Sequence, residues 1–170
     1  ENPMSKINNL NDLLIHELRD LYSAETQLIK SMPKMAKEAT HPELIASFEK
    51  HLAETEEQVK RLEQVAETMG FKPGGHTCKA MKGLIEEAKD MIAEEAPDEV
   101  KDAGLIAQAQ RIEHYEISGY GTAAALAKKL GQKDLVKVLE KTLAEEKKTD
   151  LLLTKLAESG INADAATASK

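Results

Sequence analysis

A helical period runs almost unbroken from Met4 to about Gly160, and this constrains the fold more than any other feature of the sequence. The first run begins behind Asn8 or Asn9, either of which suits a helix cap, and extends to about Ala39. It carries Leu10, Leu14, Leu18, Leu21, Leu28, Met32 and Met35 at three- and four-residue spacing. Pro33 lies inside this stripe and predicts a kink or a split. After the break at Thr40-His41-Pro42, a second run from Pro42 to Met69 carries Leu44, Phe48, Leu52, Val59 and Leu62, and Gly70 closes it. A loop, Lys72-Pro73-Gly74-Gly75-His76, leads to a shorter helical segment from about Cys78 to Glu95. A third long run, about Glu99 to Leu130, closes at Gly131, and a fourth, about Lys133 to Glu158, closes at Gly160.

The chain is therefore expected to be all-α. Two short turns imply two antiparallel hairpins, and the long connection between them carries the short fifth helix. That is the plan of a four-helix bundle with one crossover, as in ferritin-like folds. The bundle is expected to span residues 4–160. Met4 is the expected native start, with Glu1-Asn2-Pro3 foreign to it, and residues 161–170 read as a loose tail.

Charge and cysteine content narrow the function classes. The 170 residues hold 23 Lys and Arg against 30 Asp and Glu, a net charge of −7. Such a chain is a poor general binder of nucleic acid or anionic membrane. Aromatics are 3% with no Trp, too few for a base-stacking platform. No segment approaches the ~18 apolar residues of a membrane span. One Cys excludes an internal disulfide framework and multi-cysteine metal sites, which suits a reducing cytoplasm. Cys78 begins a helix, a position that can depress a thiol pKa, but without a partner in the chain it reads as structural.

Placing each helix on a wheel shows which acids fall on apolar faces. Glu25 lies within the arc of Leu14, Leu18, Leu21 and Met32. On the third long helix Glu116 sits near the centre of the apolar arc, with Glu113 on the same side. On the fourth, Glu146 falls among Leu135, Leu139, Leu143 and Leu153, with Asp150 one turn later. On the second, Glu54 is at the rim while His51, Thr55 and Gln58 lie within the arc, and Glu57 points away.

Inward carboxylates repel one another and lose their hydration, and Lys and Arg fall mostly on outer faces. Two bound cations resolve the conflict, and an oxygen-rich set suits iron or manganese. Axial depth agrees: 29 positions separate Glu25 from Glu54, and 30 separate Glu116 from Glu146. Glu25, Glu54, Glu113, Glu116, Glu146 and Asp150 are the expected metal-ligating set for two ions per chain. Glu113 and Asp150 read either as ligands or as hydrogen-bond partners of ligands, and His51 as a ligand or as an orienting group. Gln58, Tyr22 and Tyr120 are expected beside the ligands. Ferritin-like carboxylate bundles use Glu-x-x-His on two helices. Here Glu57 and Thr149 stand where those His residues would fall, so the site is rich in oxygen and poor in nitrogen.

Five segments carry a specific resemblance: Leu18-Arg19-Asp20-Leu21-Tyr22-Ser23-Ala24-Glu25, His51-Leu52-Ala53-Glu54-Thr55, Gly83-Leu84-Ile85-Glu86-Glu87-Ala88, Glu113-His114-Tyr115-Glu116-Ile117 and Leu143-Ala144-Glu145-Glu146-Lys147. Together they are similar to the YciE/YciF family of ferritin-like bacterial stress-response proteins. The resemblance implies a rubrerythrin-related bundle, a homodimer, and a dinuclear metal centre. The doubled acid Glu113/Glu116 is similar to rubrerythrin, where one such Glu exchanges with a His ligand. Glu57 occupies the matching His position here, so the resemblance does not carry that exchange over.

The expected function is redox chemistry on peroxide or dioxygen at this centre. No cysteine-rich electron-transfer segment is present, so a small reductant or a redox partner would supply electrons. The rival reading is a non-catalytic dimeric stress scaffold, or a metal-binding protein without turnover. An iron-storage cage is weaker, because the sequence shows no cage interfaces.

Overall fold

The computed structural model describes residues 6–168; Glu1-Asn2-Pro3 and the expected start at Met4 lie outside them. Helix α1 (Leu10–Glu38) is capped by Asn9, whose side chain accepts from the Asp12 amide at 2.8 Å. Expected to kink or split at Pro33, α1 is one helix through that residue. Pro33 is exposed, with its ring on the solvent side of the helix. Helix α2 (Pro42–Met69) starts with proline at its first position. It ends at Gly70, whose φ of 75° suits glycine.

The loop after Gly70 leads to α3 (Lys79–Ala93), and Pro97 precedes α4 (Asp98–Lys129). Gly131, with φ 72°, turns the chain into α5 (Lys133–Leu156). The four long helices form the bundle, in which α1 packs on α2 and α4, and α5 on α4 and α2. Helix α3 lies outside, against α1 and α4. The fold is all-α, a four-helix bundle with a crossover helix, as the periodicity predicts.

The C-terminal segment differs from expectation. Instead of a loose tail, Ala157–Ile161 form a π turn and α6 (Asn162–Ala168) follows. The wider turn re-phases the helix, so that Ile161 is buried and α6 continues along α4. Ala-rich composition then sustains it.

Apolar packing divides the core into layers. One cluster gathers Met35, Leu44, Phe48, Leu105 and Leu153, at the end near the α1–α2 turn. Another gathers Leu14, Leu18, Leu62, Ala123 and Leu139, toward the opposite end. A third joins α3 to α1 and α4 through Leu28, Met32, Met81, Ile85 and Ile112. On each long helix the polar residues Glu25, His51 to Gln58, Glu113 to Glu116, and Glu146 fall between the first two clusters. The bundle therefore has apolar ends and a polar waist.

Candidate metal centre

Four helices deliver side chains to that waist. Helix α1 brings Glu25, α2 brings His51 and Gln58, α4 brings Glu113, Glu116 and Tyr120, and α5 brings Glu146; all are buried. His51, Glu113, Glu116 and Glu146 each place one ligand atom within 4.8 Å of all the others. His51 Nε2 lies 2.6 Å from Glu113 Oε1 and 3.7 Å from Glu146 Oε2. Neither ring nitrogen is aligned for a hydrogen bond, so these are ion-pair contacts. Tyr120 donates its hydroxyl to Glu25 Oε1 at 3.1 Å. Gln58 Nε2 donates to Glu146 Oε1 at 2.5 Å.

The unpaired oxygens are the unusual feature. Glu25 Oε2, Glu113 Oε2, Glu146 Oε2 and both oxygens of Glu116 are buried with no hydrogen-bond partner. Buried acceptors are normally satisfied, and a bare carboxylate is among the costliest groups to leave unmatched. The protonation pattern follows. Burial pushes Glu25 up to about 7, with Glu146's charge adding and Glu116, His51 and Tyr120 opposing. Burial also drives Glu116 well above the carboxylate range, and the charges of Glu146 and Glu25 add to this. Glu113 is driven up by burial and by Glu146, against the pull of His51.

Burial alone would depress His51, but the Glu113 carboxylate overrides it and drives the imidazole well above its ordinary value. Glu146 goes the other way: burial would raise it, but the neighbouring Glu113 and Glu116 carboxyls, the His51 charge and the hydrogen bond from Gln58 hold it low. The contacts thus favour the charged forms of Glu146 and His51, which lie 3.7 Å apart.

A divalent cation fits this donor set. The atoms are carboxylate oxygens and one imidazole nitrogen, converging and mostly without a hydrogen-bond donor of their own, and a cation would replace the protons they now hold. Glu25, Glu113, Glu116 and Glu146 are thus brought together, with His51 as a fifth potential ligand.

Glu54 sits at the outer margin. Its side chain is 24% exposed, 3.7 Å from His51 Nδ1 and 3.9 Å from Lys50 Nζ. The adjacent His51 imidazole holds its carboxyl below the usual range. Asp150 is not in the group. One turn beyond Glu146, it faces α4, where His114 Nε2 lies 3.0 Å away and Gln110 donates at 3.2 Å. Tyr22 is also directed elsewhere, its hydroxyl reaching Glu63 at 3.2 Å. Glu57 is exposed and paired with Lys60 at 2.7 Å.

Sequence reasoning missed a second polar cluster on the α1–α3–α4 side. Asp20 accepts from the Tyr115 hydroxyl and the Cys78 thiol and lies 3.0 Å from His76. Burial pushes the Cys78 thiol up, contrary to the lowering its place at a helix start suggested. Its sulfur accepts from the Met81 amide at 3.4 Å and acts as the cap of α3. The spacing of these residues gave no signal, because the crossover loop brings them together.

An up-and-down pair of hairpins joined by a crossover, with converging acids at mid-height, defines a ferritin-like helical bundle. The chain belongs to the family described as a domain of unknown function (DUF892), which it matches over residues 9–166. It is 46% identical over 154 residues to protein YciF of Escherichia coli (strain K12), covering 90% of this chain and 93% of that protein. The crystal structure of that E. coli stress protein superposes with a TM-score of 0.88, covering 92% of this chain and 99% of the other. YcfI of Rhodopseudomonas palustris is 44% identical with a TM-score of 0.85, over 89% and 96% of the two chains.

A ferritin-like, diiron-carboxylate protein of Bacillus anthracis shares only 19% identity at a TM-score of 0.68, over 88% and 99%. That likeness shows the fold alone. Among the described residues, no helix is long and apolar enough to cross a membrane.

Proposed function

We propose that this protein binds two iron or manganese ions at the bundle waist and carries out redox chemistry on dioxygen or peroxide there. Glu25, Glu113, Glu116, Glu146 and His51 would hold the ions, with Glu54 closing the outer side. The observation that carries the reading is Glu116: fully buried, with both oxygens unpaired, between Glu25 and Glu146. A bound ion pair would supply reducing equivalents to an oxygen substrate. The chain's own residues bind and orient the ions, exclude water through the apolar layers on either side, and hold a proton at the Tyr120 hydroxyl. A small reductant or a protein partner would return the electrons.

Metal analysis of native protein, followed by peroxide consumption in wild type and Glu116→Gln, tests this. About two ions per chain, lost with turnover in the variant, is the expected result. Absence of metal after loading with Fe2+ and Mn2+ would sink it. A second reading draws on the raised carboxyls at Glu25, Glu113 and Glu116, which can stay neutral without metal. In that case the protein is a metal-free scaffold, and the same metal analysis decides between the two.

A further inference from the structure

Helix α5 carries two consecutive acids with opposite orientations. Glu146 turns into the waist and is fully buried. Glu145 turns to α2, where Arg61 grips it, with Nη1 to Oε1 at 2.5 Å and Nη2 to Oε2 at 3.0 Å. Arg61 Nη1 also donates to Thr142 Oγ1 at 3.1 Å. Gln58, one turn before Arg61, lies between the two acids and is fully buried. Its Nε2 donates to Glu146 Oε1 at 2.5 Å and to Glu145 Oε1 at 3.3 Å.

Two carboxylate acceptors fix the amide's orientation. Turned over, it would set a carbonyl against both acids. The same orientation leaves Gln58 Oε1 buried without a partner. A stranded carbonyl is a poor choice for packing alone, where leucine or methionine would fill the space without an unmet acceptor. The amide's effect is on Glu146: it occupies Oε1 and leaves Oε2 unpaired, 3.7 Å from His51 Nε2.

We propose that Gln58 is a positioning residue that selects which oxygen of Glu146 faces the metal, and that the Arg61–Glu145 pair fixes Gln58 from outside the bundle. This rests on the metal-binding reading above. Arg61 then affects the centre through two intermediaries, Glu145 and Gln58, without touching a ligand.

Titration with Mn2+, followed by calorimetry and by the electron paramagnetic resonance of the bound ion, tests it in wild type, Gln58→Leu, Arg61→Met and Arg61→Lys. The expected result in Gln58→Leu is an unchanged number of ions, an altered spectrum of the bound ion, and an affinity about 10- to 100-fold weaker, as for other partners that orient ligands. Arg61→Met should show a smaller loss of the same sign, partly restored in Arg61→Lys. Thermal unfolding of the metal-free variants separates this from a packing role. If stability falls while Mn2+ affinity and spectrum stay as in wild type, the proposal is overturned. Should Gln58→Leu fail to fold, Arg61→Met decides by the same criterion. Wild-type protein that binds no Mn2+ or Fe2+ would remove the metal centre and this role together, whereas wild-type binding with unaltered variants would remove only the role of Gln58.

Discussion

His51 Nε2 on α2 lies 2.6 Å from Glu113 Oε1 on α4, and neither side chain is more than 6% exposed. The contact favours a protonated imidazole among the buried acids, and it ties stability to pH. Glu25 and Glu116 hold their protons more tightly in the folded state than in the unfolded chain, and the His51–Glu113 pair keeps the imidazole proton in the same way. A folded state that binds more protons loses stability as pH rises. For Glu25 the loss falls between its ordinary 4.5 and about 7. For His51 the contribution is complete below 6.5 and is lost as pH climbs through its raised value. Glu54 and Glu146 are depressed, so their contributions are already complete above the ordinary range. Metal-free protein should therefore melt at steadily lower temperature from about pH 5 to 8, and saturating Mn2+ should reverse the slope. Thermal scans in chelator and in Mn2+ check this, and a flat metal-free profile would contradict it.

Glu116→Gln removes the least compensated group. A neutral amide in the same volume can donate to Glu25 or Glu146, both of which neighbour it. In chelator at alkaline pH the variant should be more stable than wild type by about 1–2 kcal/mol. It should also lose most of its capacity for divalent metal. Denaturant titration measures the first effect and elemental analysis the second. A gain in stability together with a loss of binding is the pattern of a group retained for ligation.

Asp102 offers a control away from the waist. This buried residue of α4 accepts from the Thr40 amide at 2.9 Å, the Thr40 hydroxyl at 2.7 Å and the His41 amide at 2.9 Å. It thereby ties the α1–α2 turn to α4 and takes up donors at the start of α2, where His41 provides no side-chain cap. Asp102→Ala leaves those donors unmatched and should cost about 2–3 kcal/mol in unfolding experiments. Metal stoichiometry should be unchanged.

Two glycines of α4 should respond oppositely to alanine. A Cβ at Gly104 would meet the Met91 sulfur, on a flexible, partly exposed side chain that can move. A Cβ at Gly119 would meet Leu21 Cδ2 at 2.7 Å, in a residue only 1% exposed within the core. Alanine gains about 1 kcal/mol of helix propensity at either position. Gly104→Ala should keep part of that gain, while overpacking at Gly119→Ala should outweigh it and destabilise by about 1 kcal/mol net. Paired denaturant curves resolve the difference in sign.

Much of this arrangement was legible in the sequence, for identifiable reasons. Helix existence followed from apolar spacing, and Pro42, Gly70 and Gly131 marked ends that the structure keeps. Glu25, Glu116 and Glu146 stood out because a wheel separates one charged residue from an apolar arc. Asp150 could not be separated from Glu146 this way, since one helical turn changes the direction by little. Its partners His114 and Gln110 belong to another helix. Tyr22 and Tyr120 looked alike for the same reason, and only packing sends one to Glu63 and the other to Glu25. The helical continuation to Ala168 was hidden because a π turn breaks the 3.6-residue period at Ala157–Ile161.

The two tyrosines make a matched test of that difference. Tyr120 is 1% exposed, and burial pushes its phenol well up, so it stays a donor to Glu25 Oε1. Phenylalanine fills the same space without the hydroxyl and removes the hydrogen bond to Glu25 Oε1. Tyr120→Phe should cost about 1 kcal/mol in the metal-free protein and weaken Mn2+ binding about tenfold with the ion count unchanged. The Tyr22 hydroxyl reaches only the exposed Glu63, outside the waist. Tyr22→Phe should therefore leave Mn2+ affinity at the wild-type value and change stability by less than about 0.5 kcal/mol. Calorimetric titration of the two variants beside wild type checks the pair, and equal losses of affinity would show that the Tyr120–Glu25 hydrogen bond does not govern the centre.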